Sequence, residues 1–251
     1  MNNSFDFKRF GQLLAYDWKR YVRNFGITLL VWISMPILLW VASLVFGSEL
    51  PVEVREMLIF GIVAITLMSA PSRIYGKANL SREGVAFAML PASGLEKFLT
   101  MFIYCSLVTP FLALLGAWIV DSLMTLLPFG GFEEIAMSED FLRKISFGDF
   151  VMLVVSLVTA AWAESSIFMF GNMVFKRRKA GKTIAWGILI VFVLTLLLQL
   201  AHFWNAFGMW VTETSAQLET RFLPWVYSAF QLVVAIVFYI LTYRKIKTQK
   251  Y

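Results

Sequence analysis

Glu164 is the one carboxylate placed deep inside an apolar run, near the middle of 150–175, with Ser165, Ser166 and Asn172 on the same stretch. A charge at the centre of a bilayer costs about 2.5–3.5 kcal/mol on insertion scales, so such a group faces other protein, pairs, or stays protonated. Two roles are open to it: a protonated, hydrogen-bonded packing carboxyl, or a station on a substrate path or proton relay. Arg73, near the end of an earlier apolar run, falls about two helical turns too low to pair with it directly.

Other chemistry is poorly served. Gly181-Lys182-Thr183 copies the end of a phosphate-binding loop, but the glycine required five residues before Gly181 is Lys176. An apolar run rather than a strand precedes it, so no nucleotide hydrolysis is expected in this chain. Glu133-Glu134 lacks the arginine that a glutamate-type membrane protease would carry four residues later, where Ser138 stands. His202 is the only histidine and Cys105 the only cysteine, which leaves no intrachain disulfide, no thiolate metal site and no two-histidine zinc site. No metal and no catalytic set is expected.

The elements that carry these residues follow from composition. The chain has 251 residues, 59% hydrophobic and only 15% charged, with a mean hydropathy of +0.73. Apolar runs of about 20 residues, enough to cross a hydrocarbon core of ~30 Å, recur along it. The expectation is an all-α polytopic membrane protein with six transmembrane helices, at about 27–46, 57–75, 98–120, 150–175, 183–203 and 222–243. Pro36 falls inside the first and favours a kink, and Pro71 falls inside the second.

Ahead of the spans, Phe10, Leu13, Leu14, Trp18, Tyr21, Val22 and Phe25 recur at helical spacing, opposite Lys8, Arg9, Gln12, Lys19, Arg20 and Arg23. That pattern predicts an amphipathic interfacial helix within 1–26, either a distinct elbow or a positive anchor for the first span. Asp17 is discordant at the rim of its apolar stripe. The segment is too long and charged for an ordinary signal sequence and reads as retained.

Cations segregate by side. Lys8, Arg9, Lys19, Arg20, Arg23, Arg73, Lys77, Arg82, Lys97, the cluster from Lys176 to Lys182, and Arg244, Lys245, Lys247 and Lys250 fall on the side of the termini. The opposite side holds Arg55, Arg143, Lys144 and Arg221. Basic loops stay in the cytoplasm, so both termini, including the basic tail 244–251, are expected there. The net charge of +6 is thereby a matter of topology, and no nucleic-acid partner is implied.

The loop 76–97, between the second and third spans, is basic and punctuated by proline. Leu80–Leu90 suits a short amphipathic helix at the membrane surface, which Pro91 ends. Ser93 and Glu96 then form a capping box ahead of the third span, each side chain taking the other residue's backbone N–H.

The string Leu90-Pro91-Ala92-Ser93-Gly94-Leu95-Glu96-Lys97-Phe98, set in six spans with a basic elbow, resembles the permease subunits of type-2 ABC exporters, in particular small bacterial members. The resemblance implies an inner-membrane permease whose loop 76–97 carries a coupling helix, Ser81–Leu90, docking on a separate cytoplasmic ABC ATPase. Ser81, Arg82, Glu83, Val85, Phe87, Leu90, Pro91, Ser93, Glu96 and Lys97 would then serve coupling, while Glu164, Asn172 and Arg73 would line an intramembrane polar path. ATP and magnesium would reside on the ATPase, with no cofactor in this chain. A second permease, identical or related, would complete the unit amid membrane lipid. The mostly apolar bundle favours amphiphilic, lipid-like or peptide cargo. Two further classes stand beside it: an accessory membrane protein that binds a soluble partner, and an ion-coupled carrier using Glu164.

Overall fold

The computed structural model describes residues 5–47, 50–80, 84–127, 132, 146–176, 178–190 and 212–248, the side chains of 86 and 212–224 excepted. The described regular structure is entirely helical: α1 (Phe7–Tyr21), α2 (Ile27–Ile33), α3 (Met35–Phe46), α4 (Val52–Ile74), α5 (Gly84–Met89), α6 (Gly94–Phe102), α7 (Thr109–Thr125), α8 (Phe147–Val174), α9 (179–190) and α10 (Thr212–Thr248). Five helical stretches among the described residues are long and apolar enough to cross a membrane: Phe7–Phe46, Val52–Ile74, Gly94–Thr125, Phe147–Val174 and Trp225–Thr248. The fifth expected span is helical over 179–190, and its remainder, 191–203, lies outside the described residues.

Several boundaries differ from the expected ones. The helical path does not stop at residue 26: the π-helical turn Val22–Gly26 carries α1 straight into α2. The break comes instead at Ser34, because Pro36 lacks an N–H and its ring crowds the preceding turn. Glu53, Arg55 and Glu56, ahead of the expected second span at 57–75, lie in the first turns of α4, and Asp121, just past the expected end of the third at 120, lies inside α7. The helix 179–190 starts four residues before the expected 183. The extensions of α4, α7 and α9 carry charge that the protein interior accommodates, at Arg55, Asp121 and Lys179.

A second π-helical turn, Ile103–Val108, joins α6 to α7. Pro110 has no N–H to offer the carbonyl of Ser106, so the regular ladder opens there. The Thr109 hydroxyl fills part of the gap by donating to the Tyr104 carbonyl at 2.7 Å.

The core runs through Tyr21, Phe25, Ile59, Ile62, Met101, Ala113, Ala117, Met169 and Met173. Ala113 and Ala117, one turn apart on α7, let α4 pack closely, as small residues do between helices in lipid. Long α10 lies along α8. Ser106, Ser165 and Tyr239 join three segments through hydroxyl contacts of 2.8 Å each, in a ring that answers their need for partners in an apolar setting.

Candidate functional site

At one end of the bundle, α1, the end of α4, α5, the start of α6 and the end of α10 converge. Ser93 caps α6, accepting the Glu96 N–H at 3.2 Å, while the Glu96 carboxylate accepts the Ser93 N–H at 2.8 Å. The expected capping box is therefore formed. Glu96 does more than close it. The same carboxylate accepts Arg9 Nε at 2.8 Å, Arg9 Nη2 at 2.6 Å and the Asp6 N–H at 2.9 Å. Asp6 in turn caps α1, taking the Lys8 N–H at 2.8 Å. One buried carboxylate thus ties the start of the amphipathic helix to the start of a span.

Asp17, discordant on the helical wheel, has a partner in space. Its Oδ2 accepts the Tyr75 hydroxyl at 2.8 Å, with the Arg20 guanidinium 5.3 Å over the Tyr75 ring. Tyr104 adds a third tie by donating to the Leu14 carbonyl at 2.8 Å. Helix α1 is consequently bound to α4, α6 and the π-helical turn by polar contacts that its apolar stripe does not announce.

The loop helix is shorter than expected, with α5 covering Gly84–Met89 within the expected 80–90. Ser81, Arg82 and Glu83 lie outside the described residues. Phe87 is buried, its ring edge-on to Tyr75 with 6.5 Å between centroids. Lys97 donates from Nζ to the Ala88 carbonyl at 3.0 Å and stands 5.3 Å over the Phe87 ring. A cation at the C-terminal end of a short helix suits the orphan carbonyls there. Leu90 packs against the core, whereas Pro91 is exposed. The outward apolar residues of α5 are Val85 and Met89, the latter 77% exposed. Of the ten coupling residues, Phe87, Leu90, Ser93, Glu96 and Lys97 face the bundle, and Val85 and Pro91 face away.

The intramembrane polar set divides. Asn172 Nδ2 donates to the Tyr75 carbonyl at 3.3 Å, and Lys179 Nζ donates to the Gly76 carbonyl at 2.5 Å. Together they cap the C-terminal end of α4. Arg73 is exposed near that same end. Glu164 lies eight residues earlier on α8, about 12 Å along the axis, and belongs to neither group. Its Oε1 is buried and makes no hydrogen bond among the described residues.

Two features escaped sequence reasoning. Arg55 and Asp121, placed in separate outer loops, form a buried two-point ion pair between α4 and α7, with Arg55 Nε 2.9 Å from Asp121 Oδ1. The Phe132 ring lies 4.1 Å from the guanidinium. The available signal was the cation Arg55 set between Glu53 and Glu56. The second is an apolar cavity of about 620 Å³ walled by Trp18, Phe60, Phe111, Leu157 and Trp162, with Ser106 at its polar edge. Glu133, Glu134, Ser138 and His202 lie outside the described residues. Among the described residues, no group of His, Cys, Asp and Glu is arranged to hold a metal. The chain matches no family model, no curated protein and no solved structure.

Proposed function

We propose that the chain is the membrane-embedded permease subunit of an ABC exporter in a bacterial inner membrane, driven by a separate cytoplasmic ATPase. The observation that carries this reading is the mounting of α5 between two spans. Phe87 and Lys97 clamp it to the bundle on its inner side, and Val85 and Met89 leave an apolar outer side for a soluble partner. A push on α5 would pass through Lys97 to the rigid start of α6, and through Glu96 and Arg9 to α1. Rocking of these linked segments would open and close a path for cargo. The apolar cavity beside Trp18 and Trp162 favours an amphiphilic, lipid-like or peptide substrate.

The test is recovery of the tagged chain from its native membrane in mild detergent, beside a Val85→Asp/Met89→Asp variant. A stoichiometric ATPase that accompanies the unmodified chain and leaves the variant supports the reading. Absence of any ATPase, under conditions that keep other such complexes intact, overturns it. One observation favours a second reading, an ion-coupled carrier: the unpartnered, buried Oε1 of Glu164. That reading requires transport to stop in Glu164→Gln without any dependence on an ATPase.

A further inference from the structure

Beside the end of α4 lies a cavity of about 580 Å³ whose wall contains five cations, Arg73, Lys77, Lys176, Arg178 and Lys179, together with Asn24. No carboxylate stands among the described lining residues. Lys77 and Asn24 also border a second cleft of about 490 Å³ that adds Arg20 and Arg23. Like charges gathered in a concave wall raise the local potential and attract a counter-ion.

Backbone geometry points the same way. Arg178 adopts a left-handed conformation, φ 49°, uncommon for a residue with a Cβ. It turns the chain so that the first turn of α9, Lys179 to Gly181, forms part of the cavity wall. The first ladder bond of that helix runs from the Lys182 N–H to the Arg178 carbonyl at 2.9 Å. Preceding N–H groups of a helix have no acceptor within it and suit an anion. Burial holds the Lys179 ammonium down to about 8, a cost that a bound anion would offset.

The membrane-length helices α4 and α8 end at Ile74 and Val174, within two residues of the cavity-lining Arg73, Gly76 and Lys176. For helices that span a bilayer, such ends fall at the depth of lipid headgroups. We propose that the cavity binds a phosphate-bearing anion, supplied by the headgroup of an anionic phospholipid.

The test uses the purified full chain in neutral detergent, titrated with dihexanoyl-phosphatidylglycerol, dihexanoyl-phosphatidylcholine or inorganic phosphate, with the thermal unfolding midpoint as readout. Phosphatidylglycerol is expected to raise the midpoint saturably and phosphatidylcholine to leave it in place. The Arg73→Gln/Lys176→Gln variant, changed only at exposed side chains, is expected to bind about thirtyfold more weakly, given the usual worth of two basic residues at an anionic surface. Lys176→Gln alone should move in the same direction. Lys245→Gln/Lys247→Gln removes equal charge from the exposed end of α10 and should bind as the unmodified chain does. Inorganic phosphate that reproduces the lipid effect supports the anion site with a soluble source, and failure of phosphate to do so assigns it to the headgroup. Equal response to both lipids, or equal loss in the α10 variant, overturns the proposal.

Discussion

Arg9 and Glu96 meet in a two-point ion pair in which the carboxylate is wholly buried and also closes the cap of α6. The pair makes the orientation of the amphipathic helix depend on the first turn of a span. Ser93→Ala removes only the cap acceptor and is expected to cost about 1 kcal/mol. Glu96→Ala also frees Arg9 and the Asp6 N–H, and should lower the thermal midpoint in detergent further than either Ser93→Ala or Arg9→Ala. Equal midpoints for Glu96→Ala and Ser93→Ala would show that the latch contributes nothing.

At the other end of the bundle, Asp121→Ala leaves the Arg55 guanidinium buried without its carboxylate. The expected loss is about 3–5 kcal/mol, the range for breaking one side of a buried pair. Arg55→Met/Asp121→Leu, which removes both charges, should recover most of that loss in denaturant or thermal unfolding. A double variant as unstable as the single one would mean that the damage comes from packing around Phe132 rather than from stranded charge.

Gly171 is where α9 crosses α8. A Cβ built there would lie 2.0 Å from Thr183 Oγ1 and 2.8 Å from Thr183 Cγ2. Gly171→Ala should therefore cost about 1–3 kcal/mol through overpacking and displace the first turn of α9. Faster trypsin cleavage at Lys176 and Arg178 would report the displacement, and Gly171→Ala/Thr183→Ala should reverse part of it. Unchanged cleavage in Gly171→Ala would argue against the close crossing.

Lys179 titrates at about 8 in the fold because burial disfavours its charged form. The unfolded side chain titrates near 10.4, so between these values the unfolded chain binds more protons and stability rises with pH. Below pH 8 the charged form is present in both states and the burial cost is felt in full. Thermal midpoints of Lys179→Met, compared with those of the unmodified chain across that window, should lack this increment. A parallel pair of curves would refute the assignment.

Glu164→Met removes a carboxyl oxygen that is buried without a hydrogen-bond partner among the described residues. An unmade hydrogen bond of a buried group costs about 1–3 kcal/mol, so the variant should unfold at a higher temperature. It should also retain any ATPase that accompanies the unmodified chain. A lower midpoint would indicate that the carboxyl is satisfied in the assembled protein and contributes to packing there.

Local features were legible in the residues themselves. Long apolar runs declare spans because hydrocarbon thickness sets their length and every backbone group must be satisfied within the helix. Ser93 and Glu96 announce their capping box because its partners are three residues apart. The helical character of 84–89 and the stop before Pro91 were legible for similarly local reasons.

Tertiary structure alone decided the rest. Asp17 finds Tyr75 across 58 positions, Arg55 finds Asp121 across 66, and Arg9 finds Glu96 across 87. Such pairs depend on how each helix is rotated and which neighbour it meets, and hydropathy carries no record of either. Hydropathy instead counts every charged residue against burial, so it assigned Arg55 and Asp121 to loops. A partner supplied from another helix reverses that penalty, and only the packed bundle brings the partner within reach.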